Sequence, residues 1–166
     1  MTPARSRPSD ASGSAREYPS RPCLGVSLAV FRDGLVLLAR RTRPPFTGVF
    51  SLPGGLVEAG ETLEDAALRE LREEVRIEAR IVTLNQFVES IERDSLGQIR
   101  HHYVIASFAG EWIAGEATLG AEAIETVWAA PSRLAALDCT PGLATVVDAA
   151  EQLLARLHAP NLRPGQ

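Results

Sequence analysis

A glycine pair followed closely by an acidic helix constrains this chain more than any other feature. Pro53-Gly54-Gly55 is followed by five residues, Glu61, seven more residues, and then Arg69-Glu70-Leu71-Arg72-Glu73-Glu74. On a helical wheel with Glu70 at zero, Glu73 falls at about 300° and Glu74 at about 40°, so three carboxylates share an arc of about 100°. Leu68, Leu71 and Val75 lie on the adjacent arc, between about 100° and 160°. Such a helix must bury one flank in a core while the neighbouring flank stays open and negative. Three like charges on one face repel. A hard divalent cation removes that repulsion, because carboxylate oxygens and water are its ligands. A solvated acidic helix face is the other reading of the same wheel.

Local signals agree with a helix over 61–75. Thr62 suits an N-cap, and Asp65, three positions on, can complete a capping box or face the positive end of the helix dipole. The Pro53-Gly54-Gly55 run predicts a tight turn, where side chains would clash. Glu61 precedes the helix, projects away from the acidic face and reads as structural.

Taken whole, the string from Gly55 through Glu61 to Arg69-Glu70-Leu71-x-Glu73-Glu74-x-x-Ile77 resembles the Nudix box, the signature of the Nudix hydrolases. One position departs from it: Arg76 stands where the family has a glycine, which suits a left-handed residue ending the helix, so the arginine implies either modest strain or a differently shaped exit. The resemblance implies that Gly55, Glu61 and Arg69 shape the loop and orient the helix. It implies that Glu70, Glu73 and Glu74 are catalytic and hold Mg²⁺, with Mn²⁺ as the alternative ion. It also implies an α/β fold, the Nudix α/β/α sandwich, with a mixed sheet between two main helices. The reaction expected is hydrolysis of the diphosphate bond of a nucleoside diphosphate linked to another moiety.

The rest of the chain fits that frame. Residues 23–32 and 35–41 read as strands around an Asp33-Gly34 hairpin turn, and 49–52 as a short strand. Residues 81–91 and 99–109 read as a second pair around Asp94-Ser95-Leu96-Gly97, and 125–129 as a further strand. A short helix is expected over 131–137. An amphipathic helix is expected over 143–157, with Val146, Val147, Ala150, Leu153, Leu154 and Leu157 on its inner face. Residues 1–20, rich in Ser, Pro and Arg, predict a disordered tail. The domain is expected over 21–160, with a C-terminal tail over 161–166.

Charge and composition exclude other classes. A formal net charge of −4 argues against sequence-independent nucleic-acid binding, which needs a basic surface, and the N-terminal Arg5, Arg7 and Arg16 are too few to supply one. No apolar run is long enough to span a bilayer as a helix. Cys23 and Cys139 read as free thiols in a reducing, cytoplasmic setting.

Further candidates lie outside the box. Glu122 and Glu125 precede Val127-Trp128, where the resemblance places a loop carboxylate acting as general base or ligand; Glu116 is a third choice. Arg41, at the end of its strand, is the expected phosphate-binding arginine, with Gly54 and Gly55 beside the substrate. Phe46 and Phe50 are candidates to line a base pocket, and Phe50 is the substrate-binding choice. His101 and His102 read as structural or surface residues, with catalysis or metal binding as the alternative. The expected partner is a small-molecule nucleotide diphosphate substrate, most closely ADP-ribose or a related nucleotide sugar. Yet no proline occurs between Pro53 and Pro131, whereas the better-defined ADP-ribose subgroup carries one shortly beyond its box. Nucleoside triphosphates and a non-catalytic nucleotide-sensing role stay open, as does a homodimer.

Overall fold

A computed structural model describes residues 16–42, 44, 46–118 and 123–159 of the chain. Among them, strands β1 (Cys23–Arg32) and β2 (Leu35–Arg41) form a hairpin whose turn is Asp33-Gly34. Its alternation is sorted by layer. Leu28, Val30, Leu37 and Ala39 pack into one core cluster, and Ala29, Val36 and Leu38 into another on the opposite face. Such two-sided burial requires a helix on each side.

Helix α1 (Leu63–Val75) covers the first face with Ala66, Ala67, Leu71 and Val75. Helix α2 (Leu143–His158) covers the second with Leu143, Val147, Ala150 and Leu154. The expected inner face of α2 holds except at its end, where Leu157 is exposed. Strands β5 (Glu78–Arg93) and β6 (Ile99–Ala114) form a long antiparallel hairpin that outruns its expected bounds at both ends. Asp94 closes its turn by accepting from the Leu96 and Gln98 amides, both at 2.9 Å. Strand β6 runs parallel to β1, while the other strand pairs are antiparallel, so the sheet is mixed. Strand β7 (Ala123–Ala129) borders β2, and residues 131–136 form a 3₁₀ turn where a short helix is expected. The architecture is an α/β/α sandwich.

The sheet is split, and the split builds the site. β1 and β2 pair only beside their turn, at Phe31–Val36 and Arg32–Leu35. Farther along, β2 pairs with β3 (Phe50–Ser51) and β1 with β4 (Gly54–Leu56), so residues 50–56 enter the gap. This corrects the tight turn expected at Pro53-Gly54-Gly55. Gly54 and Gly55 are extended strand residues, and neither is among the positive-φ glycines. Glycine is required there for close approach. A Cβ on Gly54 would stand 2.1 Å from the Val26 carbonyl oxygen, and one on Gly55 2.3 Å from the Glu70 carboxylate.

Candidate active site

Helix α1 begins at the expected cap, where the Thr62 hydroxyl accepts from the Asp65 amide at 3.1 Å. It ends at Arg76 in the left-handed conformation (φ 58°, ψ 32°), the geometry that the missing box glycine would favour. Between these ends, Arg69 ties the helix to the preceding loop. Its Nε and Nη2 donate to the two oxygens of Glu61 at 3.0 and 2.7 Å, Nη2 donates to the Leu56 carbonyl at 3.0 Å, and Nη1 to Glu70 at 2.8 Å. The Arg69 bonds, helped by the Glu58 amide, pull the Glu61 carboxyl down to about 2. The same pairing, led by Glu61, raises the Arg69 pKa. The loop–helix geometry is therefore fixed by a bidentate charge-assisted pair.

The three box carboxylates differ in setting. Glu74 is buried, and its Oε2 accepts from the Gly54 amide at 3.0 Å, which joins α1 to β4. Glu70 lies beneath Gly55, held by Arg69. Glu73 is the outermost, 64% exposed, at 3.4 Å from Arg69. All three face one cavity of about 550 Å³, a volume typical of small-ligand sites. Glu58 adds a further carboxylate to that wall, beside the guanidinium of Arg69.

The opposite wall comes from the strand hairpin and α2. Val88 and Ser90 of β5, Tyr103 and Ile105 of β6, and Leu143 and Val146 of α2 line it. None of these was singled out from the sequence as a site residue. The available signal was the alternation that sends 88 and 90, and 103 and 105, to one face of their strands. Burial raises the Tyr103 phenol, and so does the Cys23 thiol, while Arg16 and Arg41 act in the other direction.

Several expected residues meet at this cavity: Glu70, Glu73, Glu74, Gly54, Gly55, Arg41 and Phe46 all line it. Others do not. Phe50 is in the α2-side core with its ring 4.3 Å from the Arg40 guanidinium carbon, because its backbone is committed to pairing with Arg40. Glu125 lies on β7 and bonds Arg40 Nε at 2.7 Å, away from the cavity lining. Glu116 pairs with Arg32. His101 is buried with Nδ1 at 2.8 Å from Glu92, a structural contact, and His102 is also absent from the lining. Glu122 lies outside the described residues.

Among the described residues, no three His, Cys, Asp or Glu side chains stand close enough together to enclose a metal ion. The donor chemistry nonetheless suits a hard cation. Three carboxylates on one helix flank open to the same cavity, and the missing Cβ of Gly55 makes room for that of Glu70.

An ADP-ribose pyrophosphatase of Methanocaldococcus jannaschii is 36% identical over 104 residues, which cover 63% of this chain and 59% of that protein. A CTP pyrophosphohydrolase of Escherichia coli is 40% identical over 77 residues, covering 46% of this chain and 55% of that protein. The chain thus matches less than two thirds of the length of either relative. Among solved structures, the MutT NUDIX hydrolase of Burkholderia pseudomallei superposes with a TM-score of 0.66 at 28% identity, covering 78% of this chain and 98% of that one. The NUDIX domain model matches residues 21–150, the span that carries the split sheet, α1, the first half of α2 and the carboxylate wall, and the chain belongs to the Nudix family.

Proposed function

We propose that this protein hydrolyses the diphosphate bond of a nucleoside diphosphate derivative in a reaction that depends on a divalent metal, with ADP-ribose or a related nucleotide sugar as the preferred substrate. The observation that carries the reading is the pairing of two unlike walls on one cavity: carboxylates from α1 on one side, and Tyr103, Ile105, Val88 and Val146 on the other. A diphosphate belongs at the first wall and a nucleoside at the second.

Glu70, Glu73 and Glu74 would hold the ion, Mg²⁺ or Mn²⁺. When bound, it withdraws charge from phosphate oxygens and makes water more acidic. Arg69 orients Glu70, and the Gly54–Glu74 bond keeps β4 at a fixed distance from the helix. Arg41 contributes positive charge at the cavity, suited to a phosphate oxygen. Glu122 is the proposed general base, since a carboxylate engaged with a cation loses basicity. Glu125 is the weaker choice, because its ion pair with Arg40 has already claimed it. The family match, together with the ADP-ribose pyrophosphatase relative, supports nucleotide-sugar hydrolysis. The CTP pyrophosphohydrolase relative supports the second reading, a nucleoside triphosphate pyrophosphohydrolase.

A phosphate-release screen decides between them. Nucleotide sugars, dinucleotides and triphosphates are offered separately with Mg²⁺ and with Mn²⁺. Fastest turnover of ADP-ribose or a nucleotide sugar supports the first reading, and fastest turnover of a triphosphate the second. No turnover of any compound overturns the hydrolase reading.

A further inference from the structure

The segment ahead of β1 delivers a cation to the cavity. Glu17 accepts from Arg100 Nη2 at 2.9 Å and from its Nε at 3.3 Å. The Tyr18 amide donates to the Arg100 carbonyl at 2.8 Å, and the Tyr18 hydroxyl to Asp94 Oδ2 at 3.1 Å. These bonds attach residues 17 and 18 to the β5–β6 hairpin. Arg16, one residue earlier, is half-buried and lines the cavity that Tyr103 and Ser90 line. It makes no hydrogen bond or ion pair among the described residues. Arg16 is thus a cation at the cavity with no anionic partner among the described residues, and a ligand's anionic group would supply one.

Sheet order sets the distance from the carboxylate wall to the strands that line the cavity together with Arg16. From the carboxylate wall at β4 the sheet continues through β1 and β6 to β5. At about 4.8 Å per strand, Tyr103 on β6 is roughly 10 Å from β4 and Ser90 on β5 roughly 14 Å. That separation leaves room for a nucleoside between the diphosphate end and the strands that share the cavity with Arg16. The Tyr103 ring and the apolar side chains of Val88 and Ile105 line the space between.

We propose that Arg16 is a specificity-determining residue, binding a further phosphate group carried by the substrate at the end remote from the cleaved diphosphate. The orientation of the substrate in this inference rests on the hydrolase reading above. The substrate class is then a nucleoside diphosphate derivative bearing an additional phosphomonoester.

The test is equilibrium titration of the full chain with two probes, ADP-ribose and ADP-ribose 2′-phosphate, in Ca²⁺, a hard cation that neutralises the carboxylate face, with the absence of hydrolysis product checked after each titration. The wild-type protein is expected to bind the phosphorylated probe more tightly. Arg16→Ala should weaken that probe by about tenfold, the loss of one charge-assisted hydrogen bond, and the plain probe by less than about twofold. Arg16→Lys should recover part of the difference. Glu17→Ala, which releases the segment from Arg100 while keeping the cation, should show a smaller form of the same selective loss. Equal weakening of both probes by Arg16→Ala overturns the proposal, as does unchanged binding of both, or failure of the wild-type chain to bind either. The hydrolase reading fails by a separate result, absence of turnover in the metal screen, which leaves this binding comparison standing.

Discussion

The two walls of the cavity are made in opposite ways. The α1 wall is local: Arg69 reaches Glu61 across eight residues and Leu56 across thirteen, and Glu74 reaches the Gly54 amide across twenty. The hairpin wall is assembled from a distance. Ser27 meets Ser107 across 80 residues, and Arg100 holds Glu17 across 83. Charge-assisted bonds between near neighbours in sequence and close backbone approach specify the first wall, whereas strand register, apolar packing and the long-range Arg100–Glu17 pair specify the second. Under the proposed function, the contrast predicts a division of labour: chemistry on the local wall, and recognition on the distant one.

The largest expected effects test that division. Glu74→Gln keeps an acceptor for the Gly54 amide but removes a charge from the carboxylate face. Turnover should fall by about a hundredfold, the scale of losing one key electrostatic contact, with the melting temperature within a degree or two of wild type. Tyr103→Ala should instead raise KM about tenfold with kcat within a few-fold, the pattern of lost binding that is uniform between ground and transition states. Steady-state kinetics on both variants measures this directly. If Tyr103→Ala lowers kcat as far as Glu74→Gln does, the two walls do not divide the work.

The same contrast explains what could be read from the chain beforehand. A local site leaves its spacing in the sequence, so the carboxylate face and the Thr62 cap were legible, while at Arg76 the sequence left a strained left-handed residue and a differently shaped exit open and the structure has the first. Strand β4 was not, because Gly54-Gly55-Leu56 has weak intrinsic β-preference and becomes a strand only where β1 and β2 diverge. The ends of β5 and β6 were missed for a related reason: Glu78, Glu92 and Arg93 look like loop residues until pairing with β6 is known. Phe50 was expected at the substrate because aromatic character was visible, but its burial under Arg40 was not. Arg16 stood in a stretch expected to be a tail. Its place at the cavity follows from bonds to a hairpin tip more than 70 residues away, and no spacing rule reports those.

A smaller effect probes how firmly the local wall is held. The Glu61 carboxyl is drawn down to about 2 from its ordinary 4.5, first by the Arg69 hydrogen bonds and then by the Glu58 amide. A depressed carboxyl pKa means that the unfolded chain binds more protons than the folded one between those values. The stabilisation is therefore complete above about pH 4.5 and disappears as pH falls through about 2. Denaturant midpoints of wild type and Glu61→Gln should differ most at neutral pH and converge toward pH 2. A gap that stays constant across this range would show that the Glu61–Arg69 pair does not depend on the charge of Glu61. The loop would then be held by shape alone.

The smallest effect concerns the residue where the local wall departs from the pattern of its family. Arg76 is the C-cap of α1, in left-handed geometry, with its amide donating to the Arg72 carbonyl at 3.2 Å. Its side chain is exposed. An L-residue with a Cβ is disfavoured in this conformation by roughly 1–2 kcal/mol, and glycine is not. Glycine also loses more backbone freedom on folding, which cancels part of the gain. Arg76→Gly should therefore stabilise the fold by up to about 1 kcal/mol, read as a higher denaturant midpoint at unchanged slope. Turnover should stay close to wild type, because the residue lines no part of the cavity. A lower midpoint would mean that the arginine makes contacts worth more than the strain it carries. A change in turnover would mean that the helix end transmits its geometry back to Glu73 and Glu74, so the chemical wall would extend beyond the residues that face the cavity.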